Sequence, residues 1–400
     1  MRPIPILSTL MLFLTAAMSA AAMEAVYEPA ASSSTMTRPV DHLPASVAVV
    51  PVVDAAPLIQ IAVLLDTSNS MDGLINQARS QLWAIVNGLG RATRSGRQSM
   101  IQVALYEYGK ASISAEEQHL RQVLPFTTDL DRVSQQLFAL TTNGGEEYCG
   151  AVIRSATRGL TWSPSAADLK VIIIAGNEPF TQGTADYRAS CVEAVASRDI
   201  VINTIYCGSN QEGIASNWQD GARLGNGAYA AIDQTRAVVI PPAPQDNELA
   251  RLGLAINDTY VPFGHAGADG ALMQKAQDGN SLGISTSNLA SRACAKGSAQ
   301  YCNDRWDLID AVDRKTVVLE RIAPADLPAG MRGLTPEQRA AYVAGKLTER
   351  KTMQARIGQL AAERELFLAA QAKAAGAPGL DEAIITVIRA QAVKRGFTIQ

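Results

Sequence analysis

Ile59-Gln60-Ile61-Ala62-Val63-Leu64-Leu65-Asp66-Thr67-Ser68-Asn69-Ser70-Met71 is the stretch from which the rest of this chain can be placed. Its first seven residues are almost all apolar and rich in β-branched side chains, the pattern of a strand buried on both faces of a sheet. The run stops abruptly at one carboxylate and several hydroxyls. Beyond Asp72-Gly73, the residues Leu74, Ile75, Ala78, Leu82, Ile85, Val86 and Leu89 recur at helical spacing, so strand, polar turn and amphipathic helix form one unit. In open parallel sheets, turns at the carboxyl ends of strands are where ligands bind. Asp66, Ser68 and Ser70 stand at alternate positions, and a tight turn can aim their three oxygens at one point. Oxygen donors of this kind suit a hard divalent cation, Mg²⁺ or Ca²⁺. Simple capping of the following helix is the alternative, but one cap does not need three polar side chains.

Further apolar runs alternate with helical patterns. Strands are expected at residues 101–108, 120–126, 169–175, 200–206 and 227–232, with helices at 129–140, 149–160, 185–197 and 213–224. That order predicts an α/β fold: a doubly wound, mostly parallel six-stranded sheet with helices on both faces, followed by an α-helical C-terminal region.

The D-x-S-x-S pattern between a buried strand and an amphipathic helix resembles the metal-ion-dependent adhesion site of von Willebrand factor type A domains, over about residues 58–240. The resemblance implies two further metal loops, and both depart from the family's pattern. Where the family brings a threonine, the run Thr141-Thr142-Asn143-Gly144-Gly145-Glu146-Glu147-Tyr148 places Glu146 after the paired glycines. A carboxylate there would add charge to the site and satisfy the cation without a carboxylate from a partner. The alternative is that Glu146 and Glu147 merely complement a helix dipole. Where the family has an aspartate after its fourth strand, Gly176 stands instead, leaving Asn177 and Glu178 as substitutes; their alternative role is turn chemistry before Pro179. The whole chain also resembles bacterial exported type A proteins in which the run 143–150, the turn 175–180 and a charged helical tail occur together.

Residues 1–22 carry Arg2, an apolar run and a small-residue end at Ala20-Ala21-Ala22, the layout of a secretory signal; an uncleaved anchor is the alternative. The expected organisation is a signal peptide (1–22), a flexible lead (23–57), the type A domain (58–240), an irregular and helical extension (241–334) and a charged helical tail (335–400). The mature chain is expected in a bacterial periplasm or secreted, with no integral membrane segment after signal cleavage. A formal charge of -3 and 18% charged residues give no electrostatic case for nucleic acid as a partner, and a protein partner is the expectation.

Export would oxidise thiols. Cys294 and Cys302 flank a short polar loop and are the expected disulfide; adjacent helices favour Cys149 with Cys191, and buried free thiols are the alternative. The Gly-rich run 264–270 lacks the context of a phosphate loop and reads as a plain loop. Thr335-Pro336-Glu337-Gln338 starts a long helix in which Met353, Leu360 and Phe367 stand seven apart, with Ile357 and Arg364 between them. This suggests an imperfect coiled-coil seam. It continues to about residue 375, and a last helix spans 381–394. The two form a solvated hairpin, a layer on the body or a partner-binding arm.

The histidines, His42, His119 and His265, lie outside the three loops, so no Ser-His pairing is read there. The functional expectation is an exported, cation-binding protein-interaction module and not an enzyme. A metal-dependent hydrolase and a purely structural envelope protein are the alternatives.

Overall fold

The computed structural model describes residues 56–235, 240–372 and 380–399. The expected signal, the lead up to residue 55 and the connection at 376–379 lie outside them. All described residues belong to one structural unit, Asp54–Gln400.

Its strands are β1 (Leu58–Asp66), β2 (Thr93–Arg94), β3 (Arg97–Gln98), β4 (Met100–Tyr108), β5 (Leu120–Thr127), β6 (Leu169–Gly176), β7 (Val201–Cys207) and β8 (Asn226–Ile232). The helices are α1 (Asp72–Leu89), α2 (Leu130–Ala139), α3 (Cys149–Gly159), α4 (Tyr187–Arg198), α5 (Asn210–Ala215) and α6 (Trp218–Leu224). They continue with α7 (Asp246–Ala255), α8 (Gly267–Ile284), α9 (Thr286–Lys296), α10 (Leu308–Asp313), α11 (Pro336–Ala372) and α12 (Leu380–Lys394).

Six strands form one sheet in the order β5-β4-β1-β6-β7-β8, while β2 and β3 make a separate small hairpin. All pairings in the large sheet are parallel except β4 with β5. The chain winds outward from β1 in both directions, which puts a topological switch point beside β1's carboxyl end.

The alternation of side chains along the strands divides the core in two. Ile59, Ile61 and Leu65 join Val171 and Ile173 on one face, under α1, α2, α7, α9, α11 and α12. Ala62 and Leu64 join Ile172 and Ile174 on the other, under α3, α4 and α6. The central strands are therefore continuous apolar runs, because neither face meets water.

The region beyond β8 is part of this core. Ile357 and Leu360 of α11 and Ile384 and Ile388 of α12 are buried in the first cluster. The seven-residue stripe on α11 thus packs on the body and builds no coiled coil. Its most buried members include Arg350 and Arg364, the first bonded to Asp307 and Asp310 at 2.6 and 2.5 Å, the second to Asp246 at 2.7 Å. Thr335 caps α11, its hydroxyl accepting from the Gln338 N–H at 3.3 Å while Gln338 Oε1 accepts from the Thr335 N–H at 2.9 Å.

The Gly-rich run expected as a loop instead opens α8. Gly270 lies against the Trp306 indole, where a Cβ would come within 2.3 Å of the ring, so close packing explains a glycine that composition alone assigns to a turn. No described helix is long and apolar enough to cross a membrane.

Candidate metal centre

Three chain segments meet where β1 ends. Asp66 is wholly buried. Its Oδ1 accepts the Ser68 N–H at 2.8 Å, a local turn that carries the chain off the strand. Its Oδ2 is buried and has no hydrogen-bond partner, a costly arrangement for a carboxylate unless another group answers it. Ser68 Oγ and Ser70 Oγ stand 3.2 Å apart. Ser70 Oγ in turn lies 3.2 Å from Asn177 Nδ2 and 3.4 Å from Asn177 Oδ1. The structure therefore brings together Asp66, Ser68, Ser70 and Asn177.

The backbone around them is held by residues that sequence reasoning did not single out. Thr67 donates its N–H to the Tyr108 carbonyl at 2.8 Å and its hydroxyl to Glu107 Oε2 at 3.3 Å. The buried Glu107 also receives Lys110 Nζ at 3.2 Å and pairs with Arg121. Glu107 sits in an apolar strand, and an ionisable residue in such a run was the available signal.

Gly176 ends β6 where the family resemblance implies an aspartate. Tyr108, fully buried, crosses beneath it and donates its hydroxyl to the Ala175 carbonyl at 3.0 Å. A Cβ on Gly176 would stand 2.6 Å from that hydroxyl and 3.0 Å from Asp66 Oδ2. The tyrosine thus occupies the space a longer residue would need.

The second loop lies along the same edge, with the Asn143 N–H donating to the Thr67 carbonyl at 2.9 Å. Its two glutamates part company. Glu146 is exposed and accepts from Gln182 Nε2 at 3.1 Å. Glu147 is buried at 6% exposure, and its N–H donates to Gln182 Oε1 at 3.0 Å. Gly109, at φ +78°, lies beside Asp66 and Glu147: a Cβ there would stand 2.7 Å from Asp66 Oδ1 and 2.8 Å from Glu147 Cγ. Glu178 is half-buried nearby.

Burial pushes the Asp66 carboxyl up to about 7, the Ser68 N–H opposing the rise and the charge of Glu178 adding to it. Burial, then the charges of Asp66 and Glu178, likewise push Glu147 up to about 7. A bound cation would invert this, favouring both ionised forms. Among the described residues no cluster of three or more His, Cys, Asp or Glu side chains holds a metal by itself. Hydroxyls and the Asn177 amide would be needed among the donors of a cation here, and such hard oxygen donors would fit Mg²⁺ or Ca²⁺. The orphaned Asp66 oxygen agrees with that fit.

His119 does touch the second loop. Its ring meets Tyr148 edge-on at 5.8 Å, and its Nδ1 lies 2.8 Å from the Ile113 carbonyl.

The expected disulfides are not formed; all five cysteines are unpaired thiols. Cys294 turns from α9 into the first core cluster. Cys149 and Cys191 both lie in the second cluster, where Cys149 Sγ is 3.9 Å from the Tyr108 hydroxyl. Burial pushes the Cys149 thiol well up and Cys191 up to about 12, as expected of packed, inert thiols.

Neither a protein-family model nor a curated protein matches the sequence. Among solved structures, proximal thread matrix protein 1 from the mussel byssus with a zinc-occupied MIDAS motif is similar at 12% identity and a TM-score of 0.34, covering 46% of this chain and 43% of that one. The pilus adhesin SpaC from Lactobacillus rhamnosus GG, in its open conformation, is similar at 12% identity and a TM-score of 0.32, over 46% of this chain and 28% of that one. The SpRpn10 VWA domain is similar at 13% identity and a TM-score of 0.31, over 48% of this chain and 90% of that one. The chain thus spans less than half the length of the mussel protein and of the pilus adhesin.

Proposed function

We propose that this chain is a divalent-cation-binding protein-interaction module of the von Willebrand factor type A kind, exported from the cell, whose cation is held by Asp66, Ser68, Ser70 and Asn177. The observation that carries this reading is the buried Oδ2 of Asp66, without a hydrogen-bond partner, at the carboxyl end of a strand whose following turn links the Ser68 and Ser70 hydroxyls to the Asn177 amide. A cation there would answer the orphaned oxygen and tie the end of β1 to the turn after β6. Mg²⁺ or Ca²⁺ is the expected ion because every donor is oxygen. Glu178 would add negative potential without direct contact. The bound ion would fix the loops of this edge as a rigid surface for a protein partner.

The role is binding and not catalysis. His119 spends its Nδ1 on a backbone carbonyl and its ring on Tyr148, both structural tasks. Export is supported by the signal-like residues 1–22. Titration calorimetry of Mg²⁺ or Ca²⁺ into the chelator-stripped protein should show one site that Asp66→Ala abolishes. Equal binding by that variant would remove the reading. Crosslinking from the cell envelope, with and without chelator, would then identify the partner.

A further inference from the structure

The two adjacent glutamates of the second loop are sorted by a single side chain. Gln182 donates its amide to Glu146 and accepts the Glu147 N–H, which leaves Glu146 in solvent and turns Glu147 inward. Glu147 then shares with Asp66 the space beside Gly109, a position where a Cβ would strike both. Two buried carboxylates held this close repel each other unless a positive charge lies between them. Among the described residues, the neighbouring cations Lys110 and Arg121 are both bonded to Glu107. Asp66 Oδ2 has no hydrogen-bond partner.

We propose that Glu147 is the second anionic ligand of the cation at Asp66, so that the chain neutralises its own divalent ion and the site takes a neutral oxygen group from a partner, an amide carbonyl or hydroxyl, in place of a carboxylate. The inference rests on the cation reading above and adds a ligand and a specificity to it. Two carboxylates balance the ion's two charges, and Glu178 stands close enough to make the edge net negative. An incoming carboxylate gains no net attraction from such an edge and meets repulsion from Glu178. A neutral oxygen completes the shell without that penalty.

The test uses Mn²⁺ as the probe on the full-length, chelator-stripped protein, followed by electron paramagnetic resonance with and without acetate. The parent protein should bind one Mn²⁺ with a spectrum indifferent to acetate. Glu147→Thr, which supplies a neutral hydroxyl, should bind about tenfold more weakly or worse and should acquire an acetate-dependent spectrum. Glu146→Gln should behave as the parent. Glu147→Gln keeps the side-chain shape, so the loss of affinity can be read even where the threonine variant folds poorly. Undiminished affinity in Glu147→Gln, or an acetate response in the parent equal to that of Glu147→Thr, overturns the inference while leaving the cation reading in place. No Mn²⁺ binding by the parent, or undiminished binding by Asp66→Ala, overturns the cation reading itself and this inference with it.

Discussion

Arg292 on α9 donates to Asp131 in the first turn of α2 across 2.5 Å, and neither side chain meets solvent appreciably. The same guanidinium bonds Asp278 at 2.6 Å and lies 4.6 Å over the Trp83 ring of α1. Lys296 reaches Asp278 at 2.9 Å, and the Tyr301 hydroxyl donates to Asp131 at 2.5 Å. This buried polar cluster joins the helices that cover the sheet to the helices appended after it.

Removing one member of such a cluster strands a charge. Arg292→Met should cost about 3–5 kcal/mol, because Asp131 loses its cation while Asp278 keeps Lys296. Adding Asp131→Asn to Arg292→Met should restore part of the loss. Urea midpoints for the single and double variants check this, and a double variant no more stable than the single would argue against a stranded Asp131.

The cluster also sets an acid limit. Burial alone would raise the Asp278 carboxyl, but Lys296 and Arg292 outweigh it and hold it below the ordinary value. The folded state therefore binds fewer protons than the unfolded chain in that range. Asp278 contributes its full stability above the ordinary aspartate value of about 4, and the contribution fades as pH falls through the lowered folded value. Urea midpoints measured from pH 6 downward should fall less steeply in Asp278→Asn than in the parent.

None of this cluster was legible in the sequence. Arg292 carries no local signal, Lys296 falls in the run between Cys294 and Cys302 expected as a short polar loop, and their partners Asp131 and Asp278 lie 161 and 18 residues away. The sheet was legible for the opposite reason. β1, β4 and β6 are buried on both faces, so local composition alone marks them, and the hydroxyl-rich end of β1 stands out against that apolar background. The Asp66, Ser68, Ser70 cluster was readable because it lies within one turn. Which glutamate turns inward was not, since residues 141–148 have no helical or strand period and the choice is made by Gln182, far along the chain. The glycines at 267 and 270 misled because composition reports conformational freedom, whereas here Gly270 serves close packing against Trp306.

The last helix is expected to be indispensable to the fold. Ile388 is fully buried and, with Ile384 and Val387, faces Ile173 and Ile205 of the sheet. Just after α12 the chain pairs with the small hairpin, where Thr93 and Thr398 exchange backbone hydrogen bonds at 2.8 and 2.7 Å. Ile388→Ala should cost about 2–5 kcal/mol. Deletion from residue 380 onward should give insoluble or unfolded protein, detected as a lost cooperative melting transition, and a truncated chain melting like the parent would make α12 a dispensable cover.

Gly109 offers the sharpest separation of backbone strain from site geometry. Gly96, in the β2–β3 turn, has φ +73° and nothing within 4 Å of the position a Cβ would take. Gly109 has φ +78°, but a Cβ there would press on Asp66 Oδ1 and Glu147 Cγ. Both Gly→Ala changes carry the left-handed backbone penalty of about 1–2 kcal/mol. Only Gly109→Ala also forces a methyl against the two buried carboxyl groups, for about 1–3 kcal/mol more. Gly96→Ala should therefore lower the melting temperature modestly and keep whatever rise Mg²⁺ produces in the parent. Gly109→Ala should lower it further and lose that rise, because Asp66 and Glu147 can no longer converge on an ion. Equal destabilisation and an equal Mg²⁺ response in the two variants would mean that the space beside Gly109 is not part of the cation site.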